Sequence, residues 1–135
     1  MPVKRVSPPE AKTLLDQGYK YVDVRSIPEF EAGHPAGAYN VPLMHFLPGR
    51  GMTPNGDFTA VYAKHFTKDD KVVVGCKTGG RSLRAAEMLQ ASGYAAVVDM
   101  AGGYEGDPST RGWKENGLPI EAAAPGRTYA DLQQK

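Results

Sequence analysis

Apolar positions along the chain follow two alternating spacings. Short runs of β-branched residues predict strands, and apolar positions three or four residues apart predict helices between them. The predicted strands are Lys4–Ser7, Tyr19–Val24, Tyr39–Val41, Lys71–Gly75 and Tyr94–Val98. The predicted helices are Pro8–Gln17, Ser26–Ala32, Asp57–Phe66 and Arg81–Gln90. Strands that alternate with helices predict an α/β fold of three layers, with helices on both faces of a mostly parallel central sheet.

Two of the predicted helices begin with the same local pattern. In Ser7-Pro8-Pro9-Glu10 and in Ser26-Ile27-Pro28-Glu29, a proline stands two positions after a serine and a glutamate stands three positions after it. Such a capping box satisfies free backbone N–H groups of the first turn, and proline fits that turn because it has no N–H. Gly18 and Gly33 follow these helices, where glycine favours a helix end.

The run Lys71–Gly75 (KVVVG) shows no alternation of apolar and polar residues. A continuous apolar run is typical of a strand buried on both faces, so we expect this strand at the centre of the sheet. Cys76 follows it directly. Because α/β folds bind ligands at the carboxyl ends of their strands, Cys76 lies where such a fold keeps its sites.

Two segments show no helical or strand pattern. Met44–Gly56 is expected to be a long irregular stretch, with His45 and Arg50 as candidates for the mouth of a site. The last residues are polar and alanine-rich, and we expect them to form a loose tail. The sequence therefore predicts one folded domain over 1–121 and a polar tail over 122–135.

Composition excludes several classes of function. The 135 residues carry 16 Lys and Arg against 15 Asp and Glu, a net charge of +1, which gives no electrostatic case for nucleic acid or a membrane as partner. One cysteine cannot form an internal disulfide, and the three histidines stand far apart, so neither a metal site nor a cofactor is predicted. No apolar run reaches the roughly 20 residues of a membrane span, and the first residues lack a signal-peptide pattern, so we expect a cytoplasmic protein.

The loop after Cys76 has the features of an anion cradle. It joins a strand to the start of a helix, and its candidate site residues are Lys77, Thr78, Gly79, Gly80 and Arg81. Backbone N–H groups that converge in such a loop stabilise a negative charge, together with the positive end of the helix. A cysteine in this setting is stabilised as a thiolate, the nucleophilic form. The two glycines permit positive φ, and the two cations suit an anionic substrate.

Three other interpretations compete with a reactive cysteine. Free cysteine is among the most buried residue types, so Cys76 could be inert. Gly75 to Ser82 matches the phosphate-binding pattern GxxxxGK[ST] except that Arg81 replaces the lysine that reaches the phosphates. Cysteine phosphatases place five residues between cysteine and arginine, whereas four separate Cys76 from Arg81 here. The shorter loop encloses a smaller bowl, which suits one extra sulfur better than a phosphate.

Signatures along the chain resemble those of the single-domain rhodaneses, which are thiosulfate sulfurtransferases with a Cys-x4-Arg active loop. The matching segments are Asp23-Val24-Arg25, Glu29-Phe30, Gly33–Ala38, Asn40-Val41-Pro42, Val72–Ser82, Gly102-Gly103-Tyr104, Trp113 and Gly117–Ile120. The resemblance implies a rhodanese-like three-layer fold and no cofactor. It implies that the Cys76 thiolate takes the outer sulfur of thiosulfate, carries it as a persulfide and gives it to cyanide, a small thiol or a protein acceptor. Two alternatives are a persulfide carrier or sensing module, and an arsenate reductase or phosphatase-like enzyme.

The resemblance also suggests roles around the loop. Asp23, Arg25 and Glu29 are candidates for loop support: Arg81 is expected to pair with Asp23 or Glu29, whereas Asp23 and Arg25 are expected to form a structural ion pair. The residues EGDPSTRG, at 105–112, are an insertion relative to the family pattern. We expect them to form a lid or a partner surface near the active loop.

Overall fold

The computed structural model describes residues 3–134 and has a central sheet of five parallel strands in the order β1-β8-β7-β2-β4. The strands of this sheet are β1 (Arg5–Val6), β2 (Lys20–Asp23), β4 (Tyr39–Asn40), β7 (Val72–Gly75) and β8 (Val97–Met100). The antiparallel pairs are β3 (His34–Pro35) with β9 (Ile120–Glu121), and β5 (Met44–Leu47) with β6 (Gly51–Pro54). The helices are α1 (Pro8–Asp16), α2 (Ile27–Glu31), α3 (Phe58–His65), α4 (Gly80–Ala91) and α5 (Tyr129–Gln134).

The central strand β7 divides the core into two parts. Val72 and Val74 pack into one apolar cluster together with residues of α3, α4 and α5. Val73, whose side chain points to the opposite face, packs into a second cluster with Ala11 of α1 and with Trp113. All three valines have no exposed surface. The prediction of a three-layer α/β fold is therefore confirmed, and so is that of a central strand, which was expected over 71–75 and lies at 72–75.

The segment Met44–Gly56 is not irregular, and that prediction is wrong. It forms the hairpin of β5 and β6, in which Met44 pairs with Pro54 and Phe46 with Met52. The connection turns at Gly49, and β6 begins at Gly51; both glycines have positive φ. Glycine, proline and methionine are poor markers of a strand, so the sequence pattern missed both strands.

The strand predicted at Tyr94–Val98 begins later in the structure, at Val97. The N–H of Tyr94 instead donates to the carbonyl of Leu89 (3.0 Å), at the end of α4. The ring of Tyr94 packs edge-on against Tyr62 at 5.0 Å between centroids. In the sequence, the aromatic Tyr94 therefore resembles the first residue of a strand. In the structure it packs at the end of a helix.

The prediction of a loose tail is also wrong for the residues that the structure describes. Tyr129 and Leu132 lie three positions apart in α5 and are buried in the same cluster as α3. The Nδ2 of Asn55 donates to the Tyr129 hydroxyl (3.0 Å), which ties the tail to the body of the protein. Because the segment is polar on average, its composition does not predict that Tyr129 and Leu132 are buried on one face of a helix. A division at residue 121 stays a prediction, and residues 1, 2 and 135 lie outside the described part.

Over residues 3–134, no helix combines the length and apolar character that a membrane crossing requires.

Candidate active site

Cys76 lies at the carboxyl end of β7, between the neighbouring strands β2 and β8. Its side chain is buried, with 2% of its surface exposed. The Sγ accepts a hydrogen bond from the backbone N–H of Gly79 at 3.1 Å. The chain between these two residues therefore curls around the sulfur before α4 begins at Gly80. One backbone N–H thus faces the sulfur, and the anion cradle expected from the sequence stays a prediction.

Gly79 adopts a conformation that side chains disfavour. Its φ is +113°, and a Cβ there would lie 3.3 Å from the backbone N of Gly102. Only glycine fits this position without strain. Lys77 and Thr78 are exposed, so the loop presents a cation and a hydroxyl to solvent while its last turn is fixed.

Arg81, in the first turn of α4, is held by Glu29 of α2. Its Nη1 donates to Glu29 Oε1 at 2.7 Å, and its Nη2 donates to Glu29 Oε2 at 3.0 Å. Burial raises the pKa of Glu29, but the hydrogen bonds from Arg81 and Ser26 outweigh it and lower the pKa to about 2. The hydrogen bonds to Glu29 raise the pKa of Arg81. Of the two acids expected from the sequence, Glu29 is the one that contacts Arg81.

Asp23 and Arg25 form a buried ion pair at the same edge of the sheet. The Arg25 Nη2 donates to Asp23 Oδ2 at 2.8 Å and to the carbonyl of Gly33 at 2.7 Å. Burial lowers the pKa of Arg25, but the Asp23 carboxylate more than offsets it and the net shift is upward. The guanidinium also stacks over the ring of Tyr104, 4.4 Å from its centroid. Asp23 and Arg25 therefore bind each other, and Arg25 also contacts Gly33 and Tyr104.

The segment after β8 binds the back of the active loop. The N–H of Tyr104 donates to the carbonyl of Cys76 (2.7 Å), and the N–H of Glu105 donates to that of Lys77 (2.9 Å). This approach depends on Gly103, because a Cβ there would come within 2.6 Å of the Cys76 and Lys77 carbonyl oxygens. Gly103 and Tyr104 belong to a segment that resembles a family signature, but the sequence does not predict this contact with the loop.

The insertion at 105–112 starts from this contact and folds into a compact turn. Asp107 Oδ1 accepts from the N–H groups of Ser109 (2.7 Å) and Thr110 (2.8 Å). Glu115 Oε1 accepts from the N–H of Gly112 at 2.8 Å and closes the far end. The insertion thus adjoins the active loop, while its role as a lid or partner surface stays a prediction.

A cavity of about 230 Å³ opens beside the active loop. Its lining includes three cations, Arg25, Lys77 and Lys114, and two acids, Glu29 and Glu105. Arg25 and Glu29 are each paired with another residue, as described above. The exposed Lys77 and Lys114 outnumber the exposed Glu105, so the rim of the cavity keeps a positive charge that attracts a small anion.

The histidines do not form part of this loop. His34 is buried, stacks on Phe30 at 3.7 Å between centroids, and donates through Nδ1 to the Phe30 carbonyl (2.8 Å). His45, expected as a candidate for the mouth, packs against the ring of Tyr129 at 5.6 Å. Within residues 3–134, no three His, Cys, Asp or Glu side chains lie close enough together to hold a metal ion.

Sequence reasoning missed Arg5, which contacts the loop, and Asp99, which contacts Arg5. Arg5 donates through Nη2 to the carbonyl of Gly79 (3.3 Å) and through Nε to Asp99 Oδ2 (2.7 Å). The partners of Arg5 lie 74 and 94 positions away along the chain. No local pattern marks a contact of that range.

The chain is similar to proteins of one family. Residues 7–107 match the family described as the rhodanese-like domain. Thiosulfate sulfurtransferase 16, chloroplastic, of Arabidopsis thaliana is 42% identical over 117 residues, which cover 87% of this chain and 92% of that protein. The senescence-associated protein DIN1 of Raphanus sativus is 43% identical over 82% of this chain, and the chain spans 57% of that relative's length. The crystal structure of Rv0390 from M. tuberculosis is similar with a TM-score of 0.76 and 25% identity, over 91% of this chain and 100% of that one.

Proposed function

The chain belongs to the rhodanese-like domain family, and on that basis we propose that it is a thiosulfate sulfurtransferase that works through a persulfide on Cys76. In this proposal the sulfur goes from thiosulfate to cyanide or to a thiol. A relative that covers most of the chain carries the name thiosulfate sulfurtransferase, which supports the reaction class.

One observation carries the proposal: the N–H of Gly79 points at the Cys76 sulfur from 3.1 Å, in a loop that leads into the twelve-residue helix α4. A donor at this distance and the positive end of a helix both stabilise negative charge on the sulfur. The thiolate is the nucleophile that sulfur transfer needs. No side-chain base is then required to activate Cys76.

In the first half-reaction, the Cys76 thiolate attacks the outer sulfur of thiosulfate. A new S–S bond forms at Cys76, the S–S bond of thiosulfate breaks, and sulfite leaves with the bonding electron pair. The exposed Lys77 attracts the dianion and Arg81 adds positive charge at the loop, while Glu29 holds Arg81 in place. The residual charge of the persulfide is stabilised by the same loop that stabilised the thiolate.

In the second half-reaction, the acceptor attacks the outer sulfur of the persulfide. Cyanide becomes thiocyanate, the S–S bond to Cys76 breaks, and Cys76 returns as a thiolate. A thiolate acceptor takes the sulfur in the same way and leaves as a persulfide. Atoms and charge balance in each step without an external oxidant or reductant, since the sulfane sulfur keeps its oxidation level.

Intact-protein mass spectrometry after incubation with thiosulfate tests the covalent step. We expect a gain of one sulfur, about 32 Da, that cyanide removes and that Cys76→Ser lacks. A reduced, folded protein that gains no mass would contradict the proposal.

Turnover without a partner protein tests the acceptor. Saturable production of thiocyanate from thiosulfate and cyanide is the expected result. Formation of the persulfide with no turnover would identify a carrier that needs a protein acceptor. Hydrolysis of an aryl phosphate or reduction of arsenate in its place would show that the loop accepts a tetrahedral oxyanion.

A further inference from the structure

Arg5 reaches the active loop from the edge of the central sheet. It lies on β1, which pairs with β8 so that Arg5 stands beside Asp99. Its Nε donates to Asp99 Oδ2 at 2.7 Å, and its Nη2 donates to the Gly79 carbonyl at 3.3 Å. One planar guanidinium therefore links a strand carboxylate to the backbone of the loop.

Gly79 is bound on both of its backbone polar groups. Its N–H donates to the Cys76 sulfur, while its carbonyl accepts from Arg5, from the Ser82 hydroxyl (3.3 Å) and from the N–H of Leu83 (3.2 Å). A Cβ on Gly79 would lie 2.9 Å from Arg5 Nη2, so the guanidinium occupies the space directly behind this residue. Gly79 therefore has little room to move towards Arg5.

Asp99 is placed to orient Arg5. Its side chain has no exposed surface, and within residues 3–134 its Oδ1 has no hydrogen-bond partner. Burial raises the pKa of Asp99, although the guanidinium of Arg5 acts in the opposite direction. A buried carboxyl with one unpaired oxygen costs stability, and an apolar residue there would avoid that cost. Its contact with Arg5 gives the acidic side chain a specific role.

We propose that Arg5 and Asp99 are positioning residues for the active loop, which hold Gly79 so that its N–H faces the Cys76 sulfur. This role rests on the proposed function, because it serves the thiolate and the persulfide. Neither residue touches the sulfur. They act through the backbone of Gly79, whose carbonyl accepts from Arg5.

The variant Arg5→Met tests this role. It keeps the length and apolar stem of a side chain that is 41% exposed, so the fold is expected to survive. The matched control is Lys4→Met, which removes an exposed cation from the neighbouring position. Two readouts are compared: the pH dependence of Cys76 alkylation by iodoacetamide, and kcat and KM for thiosulfate with cyanide.

For Arg5→Met we expect the midpoint of the alkylation profile to move to higher pH and kcat to fall about tenfold, with a smaller change in KM. The expected loss is below that of deleting an oxyanion donor, because the Gly79 N–H is loosened and not removed. Arg5→Lys keeps the charge beside Asp99 but lacks the fork that reaches Gly79, and it should lie between wild type and Arg5→Met. Lys4→Met should behave as wild type.

Unchanged alkylation and kcat in Arg5→Met would overturn the proposal, as would equal effects in Lys4→Met. Asp99→Asn provides a second variant, which should shift the same two readouts. If Asp99→Asn does not fold, Arg5→Met decides alone. Alkylation needs no sulfur donor, so the positioning role is still tested if wild-type protein gains no sulfur from thiosulfate and the proposed function fails.

Discussion

The helices α1 and α2 begin with the same four-residue pattern, yet their glutamates have different surroundings. At α1, Glu10 Oε1 accepts from the N–H of Ser7 (2.8 Å), and the Ser7 hydroxyl accepts from the N–H of Glu10 (3.3 Å). At α2, Glu29 Oε1 accepts from the N–H of Ser26 (3.1 Å), from the Ser26 hydroxyl (2.8 Å) and from Arg81 (2.7 Å). Glu10 therefore contacts the start of its own helix, whereas Glu29 contacts the start of its helix and also Arg81 of the active loop.

The difference between the two boxes lies in what stands opposite the helix start. Glu10 is exposed, and its hydrogen bonds with Ser7 lower its pKa. Glu29 is half-buried, and the guanidinium of Arg81 completes its shell of donors. A local motif thus fixes where a helix begins, whereas the tertiary fold decides whether the same side chain also supports a site.

The largest effect is expected from removing the cation that distinguishes the second box. Arg81→Met takes positive charge from the active loop and leaves the half-buried Glu29 without its strongest partner. We expect kcat/KM for thiosulfate, measured by thiocyanate production, to fall about 100-fold. Arg84→Met, an exposed arginine one turn further along α4, is the control and should change little. Equal losses in both variants would mean that only the overall charge of the helix matters.

A paired substitution tests the two glutamates directly. Glu29→Gln keeps the shape of the side chain but weakens the charge-assisted hydrogen bonds to Arg81, so we expect kcat to fall about tenfold. Glu10→Gln removes the same charge from the first box and should leave kcat unchanged. Steady-state kinetics with thiosulfate and cyanide measures both. If the two variants have the same kcat, the contact between Glu29 and Arg81 does not serve the loop.

The smallest effect concerns pH. The pKa of Glu29 is lowered from 4.5 to about 2 in the folded protein, so its ionised form stabilises the fold. For an acid with a lowered folded pKa, that contribution is full above the unfolded pKa and is lost as pH falls through the folded value. The difference in Tm between wild type and Glu29→Gln should therefore be constant above about pH 5 and shrink towards pH 2. Thermal unfolding followed by circular dichroism across this range measures it, and a difference that grows on acidification would contradict the ion pair.

The sequence predicts interactions between residues that are close together along the chain, and it misses interactions between distant residues. Both helix starts and the central strand at Val72–Gly75 follow from patterns within a few residues, and so does the place of Cys76. For Arg81 the sequence predicts a pairing with either Asp23 or Glu29. It does not decide between them, because both acids lie near the same edge of the sheet. The contact of Arg5 with Gly79 carried no local signal.

The errors have the same origin. The hairpin at 44–54 is built from residues with weak strand preference, and its pairing is visible only when both strands are in place. The average polarity of the last residues predicts a loose tail, although two side chains, Tyr129 and Leu132, determine where it packs. Composition averages over a segment, whereas packing depends on single residues.

The contact between the segment at 103–105 and the active loop also fixes the direction of two peptide planes. In a trans peptide the C=O and the following N–H point in opposite directions. Since the carbonyls of Cys76 and Lys77 accept from Tyr104 and Glu105, the N–H groups of Lys77 and Thr78 face away from that segment. The two carbonyl oxygens, which are the negative ends of these peptide dipoles, are therefore hydrogen-bonded at the back of the loop. Gly103, which lets the two backbones meet, thus helps to set the electrical polarity of a loop that it does not belong to.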